Sequence, residues 1–149
     1  MDYTEEEWTR LFAVNVLAIP ALAKAARRSL ADRSGVIVNI SSMVGYGMGP
    51  SSPYAVSKAA VNGMTMALSE ELGQDGIRVV GLAPGFIPTA TVIEGMGEAG
   101  VERILKRQAM AAKATPEDIA EIIDFLVSSA AKLITGTTII ADLGITRRP

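Results

Sequence analysis

A tyrosine and a lysine lie four residues apart in the middle of this chain, in the stretch SSPYAVSK at residues 51–58. If the stretch is helical, Tyr54 and Lys58 share one face, because residues four apart in an α-helix are neighbours. A nearby ammonium group favours the phenolate form of a tyrosine, so such a phenol can exchange protons near neutral pH. The spacing therefore indicates acid/base chemistry, although chance pairs on surface helices have the same spacing.

The composition narrows the chemistry further, since none of the 149 residues is histidine or cysteine. Disulfides, thiolate metal sites and histidine bases are excluded, and we expect no metal site. The net charge of −2 gives no electrostatic reason to expect nucleic acid or an anionic membrane as a partner. We find no apolar run of the roughly 18 residues that a membrane span needs. The acidic N-terminus is unlike a signal peptide, so the expected compartment is the cytoplasm.

Hydrophobic periodicity predicts helices alternating with strands. A capping box at Thr4 begins a first helix, which Pro20 should kink or split near Asn15–Val16. A Gly/Ser/Pro loop leads up to Pro53, and a long loop is predicted from residue 85 to residue 100. Three short runs rich in β-branched residues predict buried strands at 35–41, 77–84 and 137–144, and further helices are predicted at 54–73, 101–112 and from 116 to about 129.

This alternation predicts an α/β fold with a parallel sheet and right-handed crossovers, in a single domain over residues 1–149. Three strands are few for a parallel sheet, which needs helices on both faces. We therefore expect an incomplete sheet that corresponds to the second half of a larger one. Its first strand would present an apolar edge of the kind that recruits partners.

Candidate hydroxyl groups follow the predicted strands at their carboxyl ends. Ser41 and Ser42 end the first strand, at the edge where open α/β sheets bind ligands. The next loop leads to Tyr54, so a serine hydroxyl and the phenol can converge on one oxygen atom. The second strand ends at the same edge in APGFIPT, where Thr89 offers another hydroxyl.

Taken together, these stretches resemble the short-chain dehydrogenase/reductase family over almost the whole chain. Their order along the chain is that of the family, which makes the combination more specific than any one motif. The similar segments are the asparagine-bearing helix (NVLA, 15–18), the strand with the catalytic serine (VIVNISSMVG, 36–45), the Tyr-x-x-x-Lys helix (YAVSKAAV, 54–61), the segment over the nicotinamide (APGFIPT, 83–89) and the last helix and strand (115–144).

The resemblance implies a Rossmann-like parallel sheet with flanking helices and an NAD(P)-dependent oxidoreductase acting on a small-molecule carbonyl or alcohol. It implies that Tyr54 is the general acid/base and that Lys58 stabilises its phenolate and binds the nicotinamide ribose. Ser42 would hydrogen-bond the substrate oxygen, and Asn15 would hold a water in the proton relay. Ser42 fits the family's Ser-x-x-Gly motif, while Ser41 remains an alternative.

The cofactor residues implied by the resemblance are Tyr54, Lys58, Pro84, Gly85, Ile87 and Thr89, with Thr89 touching the nicotinamide carboxamide. Nothing in the chain resembles the family's N-terminal half, where a strand, a glycine-rich turn and a helix hold the pyrophosphate. The glycines at residues 45–49 are spaced G-x-G-x-G, not G-x-G-x-x-G, and indicate a flexible active-site loop. The main phosphate and adenine site is therefore expected to be absent, and NAD and NADP are not distinguished.

Two other interpretations remain open. A truncated, non-catalytic member of the family would act only in oligomerisation, because in the family the helices matching residues 2–30 and 54–73 pack against their copies. On that basis a homodimer or homotetramer is expected. Alternatively, the chain is a fragment with no function of its own.

Overall fold

Three parallel strands form the centre of the computed structural model, which describes residues 3–47 and 52–146. Within these ranges β1 (Val36–Ile40), β2 (Arg78–Pro84) and β3 (Thr138–Ala141) pair in the order β1-β2-β3. Val38 lies opposite Val80, and Leu82 lies opposite Ile139. All three predicted strands and their parallel arrangement are confirmed. Residue 2, in the range matched to the family's packing helices, and residues 48–51, in the predicted glycine run and loop, lie outside the described ranges.

Helices cover both faces of this sheet. Thr4 and Thr115 each form a capping box that starts a helix, because each side chain accepts a hydrogen bond from the third residue of its helix. The described helices are α1 (Glu5–Phe12), a π-helical turn (Ala13–Leu17), α2 (Ala18–Ala31), α3 (Pro53–Gly73), α4 (Ala90–Leu105) and α5 (Pro116–Val127), with short 3₁₀ turns at Met43–Tyr46 and Ser129–Ala131.

Alternate residues of the strands supply two separate apolar cores. On one face Ile37 and Val79 pack with residues of α2 and α3, including Leu68 and Leu72. On the other face Val80 and its alternate neighbours pack against α5 and the chain that follows it. This alternation is the two-residue period of a strand covered on both sides. The second core contains Val36, Val38, Val80, Leu82, Ile119, Ile122, Ile123, Leu126, Ile134, Ile139 and Ala141.

The predicted interruption of the first helix is confirmed and takes the form of a π-helical turn. The Ala18 N–H donates to the Ala13 carbonyl, five residues earlier, and the turn ends at Leu17. Pro20 has no N–H to donate to the preceding turn, so an uninterrupted α-helix would lose a hydrogen bond there. Asn15 lies in the middle of the wider turn, and such turns are frequent at functional sites.

The predicted loop from residue 85 to residue 100 is correct only as far as Thr89, and the predicted helix at 101–112 only as far as Leu105. Helix α4 instead spans Ala90–Leu105. The Thr89 side chain caps it, accepting a hydrogen bond from the Val92 N–H at 3.4 Å. Glycines in the segment suggested a loop, but only Gly97 leaves helical geometry, with φ of 72° and ψ of 162°. Glycine adopts that conformation at little cost, so Gly97 forms a kink that joins two short helical stretches.

Strand β1 lies at an edge of the sheet, pairing only with β2 among the residues that the structure describes. It was predicted to be buried on both faces, yet most of its residues are only half-buried and Ile40 is 42% exposed. A groove of about 450 Å³ runs between this edge and α2. The expected apolar edge is therefore present.

The helical region Glu5–Ala31 corrects the expectation that no segment could span a membrane. The region is long and apolar enough to cross a membrane by length and composition alone. An 18-residue window within it has a mean hydropathy of 1.3, and 11% of that window is buried. One helix of this kind near the N-terminus is weak evidence for a membrane segment, because an amphipathic helix that docks on protein can have the same composition.

Candidate active site

Tyr54 and Lys58 lie one turn apart on α3, beside the carboxyl end of β1. Lys58 Nζ is 5.6 Å from the centroid of the Tyr54 ring, a cation–π distance. The same ammonium donates a hydrogen bond to the Ile40 carbonyl at 2.8 Å. Tyr54 is 43% exposed, so its ring is accessible from solvent. The structure therefore brings this pair together as the helical spacing predicts.

Lys58 is half-buried, and burial lowers the pKa of its ammonium group below the usual 10.5. Removing a charge from water disfavours its charged form. The side chain lines the groove along β1 and has three N–H donors, of which Ile40 takes one. The remaining donors suit hydroxyl groups of a bound ligand.

This lowered pKa predicts a pH-dependent stability. Between the lowered pKa and 10.5 the unfolded chain binds more protons than the folded chain, so unfolding free energy rises with pH. We expect the stability of the wild type relative to Lys58→Met to increase as the pH is raised from neutral towards that upper value. Urea unfolding of both proteins at several pH values measures this difference in unfolding free energy. A difference that stays constant with pH would contradict the prediction.

The two serines after β1 differ in what their hydroxyl groups do. Ser41 is 2% exposed and donates to the Lys58 carbonyl at 3.0 Å, so its proton is used inside the protein. Ser42 is half-buried, and its oxygen accepts a weak hydrogen bond from the Val44 N–H at 3.4 Å. Its proton has no acceptor among the described hydrogen bonds. The geometry therefore favours Ser42 over Ser41 as the hydroxyl that could face a substrate.

The absence of a side chain at Gly45 allows the segment that carries Ser42 to pack closely against α3. A Cβ atom on Gly45 would lie 2.8 Å from the Lys58 carbonyl carbon and 2.9 Å from the Ala59 nitrogen. These are backbone atoms of α3, so a side chain here would force the two segments apart. The Ser-x-x-Gly spacing thus places Ser42 on a turn that packs directly on the helix bearing Tyr54 and Lys58.

Asn15 faces the same region from the π-helical turn. Its Nδ2 donates to Ser57 Oγ at 3.0 Å, and Asn15 and Lys58 both line the groove beside β1. Ser57 is fully buried and donates to the Tyr54 carbonyl at 2.8 Å. Ser57 was not among the residues predicted from the sequence. A signal existed, because a serine three residues after Tyr54 on the apolar side of a helix needs a polar partner.

The proline–glycine turn after β2 is held by the end of β3. The Gly85 N–H donates to the Ala141 carbonyl at 2.8 Å. A Cβ on Gly85 would lie only 2.5 Å from Asp142 Cα, so the backbones touch. Burial alone would raise the pKa of Asp142, but hydrogen bonds from Thr146 and Gly144 outweigh it and hold the pKa below its usual value.

The remaining predicted cofactor residues lie at this same edge of the sheet. Pro84 and Ile87 are half-buried, and the exposed Thr89 donates its N–H to the Ile87 carbonyl at 2.9 Å. The Thr89 hydroxyl caps α4 and retains a proton to donate. Among the described hydrogen bonds, none joins these residues to Tyr54 or Lys58.

The described residues fit one end of a nicotinamide dinucleotide. The half-buried Lys58 ammonium, the accessible Tyr54 ring and the Pro84–Gly85 turn suit a nicotinamide riboside, which carries hydroxyl groups and a carboxamide. Among these residues, no strand is followed by a glycine-rich turn and a helix N-terminus of the kind that binds pyrophosphate. The fit of the described residues therefore concerns the nicotinamide riboside end of such a molecule.

Comparison with known proteins shows which family and fold this chain resembles. A family model described as Enoyl-(Acyl carrier protein) reductase matches residues 1–146. Galactitol 2-dehydrogenase from Rhizobium johnstonii is 39% identical, over 97% of this chain and 58% of that protein. The structure of 3-oxoacyl-[acyl-carrier protein] reductase from Brucella melitensis superposes with a TM-score of 0.89 at 31% identity, over 99% of this chain and 56% of that one. A 4-hydroxyisoleucine dehydrogenase complexed with NADH superposes with a TM-score of 0.88 at 29% sequence identity, over 97% of this chain and 61% of that one.

A parallel α/β sheet with a Tyr-x-x-x-Lys helix at its carboxyl edge, superposing on these enzymes, is of the Rossmann type. The chain belongs to the short-chain dehydrogenase/reductase family. It spans little more than half the length of the relatives that it matches, with shares of 58%, 56% and 61%.

Proposed function

We propose that this chain forms the proton-transfer half of an NAD(P)-dependent oxidoreductase that interconverts a carbonyl and an alcohol. The observation that carries the proposal is the 5.6 Å approach of Lys58 Nζ to the Tyr54 ring at the carboxyl end of β1. With neither histidine nor cysteine in the chain, this pair is the natural acid/base. A bound nicotinamide would supply or accept the hydride.

Tyr54 provides the proton in this scheme. In the reductive direction its phenol gives a proton to the substrate carbonyl oxygen as that oxygen gains negative charge, leaving a phenolate. In the oxidative direction the phenolate takes the proton from the alcohol. Ser42 donates a hydrogen bond to the same oxygen, which stabilises the developing charge.

Lys58 acts on both the phenol and the cofactor. Its positive charge stabilises the phenolate that remains after proton transfer. Two of its three N–H donors are left after the bond to Ile40, and these bind ribose hydroxyls. Asn15 lines the same groove and holds a water that returns a proton to the site.

The substrate class follows from what the relatives share. Their names describe oxidation of galactitol at position 2, reduction of a 3-oxoacyl group and oxidation of 4-hydroxyisoleucine. Each places the reacting oxygen on a secondary carbon. We therefore propose a secondary alcohol and its ketone as the substrate pair, enclosed in part by α4, which follows the Pro84–Gly85 turn.

The partial cofactor site gives a direct binding test. Reduced nicotinamide mononucleotide and NADH should bind the purified chain with affinities within about threefold of each other, because the described residues offer nothing for the adenine half. Fluorescence titration measures both, with Lys58→Met as the variant that weakens both. NADH binding about a hundredfold tighter than the mononucleotide would show that the chain holds a phosphate and adenine site and would contradict the prediction.

The oligomerisation module remains a second candidate, because three large apolar side chains are exposed around the π-helical turn. Val14, Leu17 and Leu22 are 68%, 63% and 68% exposed. A module of this kind would associate in a concentration-dependent way, seen by analytical ultracentrifugation, yet bind neither nicotinamide ligand. Saturable binding of either ligand that Lys58→Met abolishes favours the oxidoreductase.

A further inference from the structure

A short stretch at the end of β3 is attached to both ends of the segment that carries α4. At the beginning of that segment, the Gly85 N–H donates to the Ala141 carbonyl at 2.8 Å. At its end, the N–H groups of Ala109 and Met110 both donate to the Leu143 carbonyl, at 2.9 and 3.1 Å. The backbone on either side of position 142 therefore fastens the whole segment at two points.

Helix α4 has few other attachments. Among the hydrogen bonds and ion pairs of the described residues, these three are the ones that join residues 85–112 to another part of the chain. Most residues of α4 are exposed, and only Gly100 and Val101 are buried in it. The position of α4 relative to the Pro84–Gly85 turn therefore depends on the conformation of the stretch after β3.

Asp142 fixes that conformation. Its side chain is only 9% exposed, and its two carboxylate oxygens accept hydrogen bonds from the Gly144 N–H at 2.9 Å and the Thr146 N–H at 2.8 Å. Leu143 lies between Asp142 and these donors and has a φ of 53°, a left-handed conformation that is uncommon without glycine. Such a conformation persists where the surroundings impose it. The two bonds of Asp142 bridge Leu143 and so hold its carbonyl towards the end of the α4 segment.

We propose that Asp142 is a positioning residue for the substrate, which holds α4 in place through the Leu143 carbonyl. This inference rests on the proposed function, in which α4 encloses part of the substrate. The bond from Gly85 goes to Ala141, which precedes Asp142, and it joins backbone to backbone. The cofactor end of the site should therefore depend on the Asp142 side chain less than the substrate end does.

Steady-state kinetics of Asp142→Ala in the full chain test the proposal. With the secondary alcohol that the wild type oxidises fastest, we expect KM to rise about tenfold, the effect of losing one hydrogen bond to a charged group. The kcat value and the dissociation constant of reduced nicotinamide mononucleotide should stay nearly unchanged. An unchanged KM, or an equal loss of cofactor affinity, would overturn the proposal.

Two further variants test how Asp142 acts. Asp142→Asn keeps one accepting oxygen and should raise KM only about threefold, because one of the two hydrogen bonds remains. This variant decides the question if the alanine variant does not fold. Glycine adopts the φ of Leu143 at little cost, so Asp142→Ala combined with Leu143→Gly should bring KM back towards the wild-type value. An increase that the double variant retains in full would contradict the proposal.

Asp118→Ala is a matched control. Asp118 also accepts two hydrogen bonds, from the Thr115 N–H at 2.7 Å and the Thr115 hydroxyl at 2.8 Å, but it does so at the start of α5. Its removal should lower the thermal stability and leave KM unchanged. A rise in KM equal to that of Asp142→Ala would assign the effect to general destabilisation and overturn the positioning role.

Amide hydrogen exchange followed by NMR separates this inference from the proposed function. The amide protons of Ala109 and Met110 should exchange faster in Asp142→Ala but not in Asp118→Ala. Unchanged exchange at both amides would overturn the positioning role whatever the activity. If the wild type turns over no secondary alcohol with either NAD or NADP, the proposed function fails, while faster exchange still supports the attachment of α4 through Asp142.

Discussion

Replacing Tyr54 by phenylalanine should lower kcat by about 10²- to 10⁴-fold, the usual contribution of a positioned general acid/base. The change removes one hydroxyl from a ring that is 43% exposed, so the fold should be retained. Thermal unfolding by circular dichroism checks the fold, and absorbance of the reduced cofactor measures turnover. Lys58 would keep its hydrogen bond to Ile40, so cofactor affinity should change little.

Tyr3→Phe provides the matched control, since Tyr3 is 44% exposed and lies before α1, away from α3 in the chain. It should leave kcat unchanged. If Tyr54→Phe turns over substrate as fast as the wild type, another group transfers the proton, and the role proposed for Tyr54 is wrong.

Replacing Gly85 by alanine should destabilise the protein by about 1–3 kcal/mol, the typical cost of inserting an atom where backbone must move. The added Cβ would lie 2.5 Å from Asp142 Cα and 2.7 Å from Asp142 Cβ. Moving the turn away from β3 also moves Pro84 and Ile87, so turnover should fall as well. Urea unfolding gives the change in free energy.

Gly63→Ala separates this steric effect from the general effect of replacing a glycine. Gly63 lies inside α3, and a Cβ there would meet no atom within 4 Å. Alanine should therefore stabilise the protein by about 0.5–1 kcal/mol, because glycine weakens a helix interior. If both variants shift the unfolding free energy in the same direction, close contact at Gly85 is not the cause.

Local signals in the sequence predicted the elements that carry the site. Thr4 and Thr115 begin helices as capping residues, because capping depends on neighbours only three positions away. The apolar run at Val36–Ile40 forms a strand, and the four-residue spacing of Tyr54 and Lys58 places them on one helix face. Such features depend on few long-range contacts, so periodicity and spacing suffice.

Features that depend on distant contacts were not predictable in the same way. The glycine-rich segment after Thr89 forms α4, in which two helical stretches meet at a kink at Gly97. The bond between Asn15 and Ser57 spans 42 positions, and no local pattern encodes it. The sequence suggests that Gly45 is a flexible loop residue, whereas in the structure its backbone packs against α3. Tertiary proximity explains all of these cases.

The five-residue turn Ala13–Leu17 makes the approach of Asn15 sensitive to chain length. One residue of a regular helix corresponds to about 100° of rotation. Because the wider π turn accommodates one extra residue, deleting a single amino acid from it would restore an ordinary helix and leave Trp8 and Phe12 in nearly the same orientation relative to Ala23. Alignments that place a gap here would therefore mark homologues that keep the orientation of the N-terminal aromatic residues but lose the widened turn around Asn15.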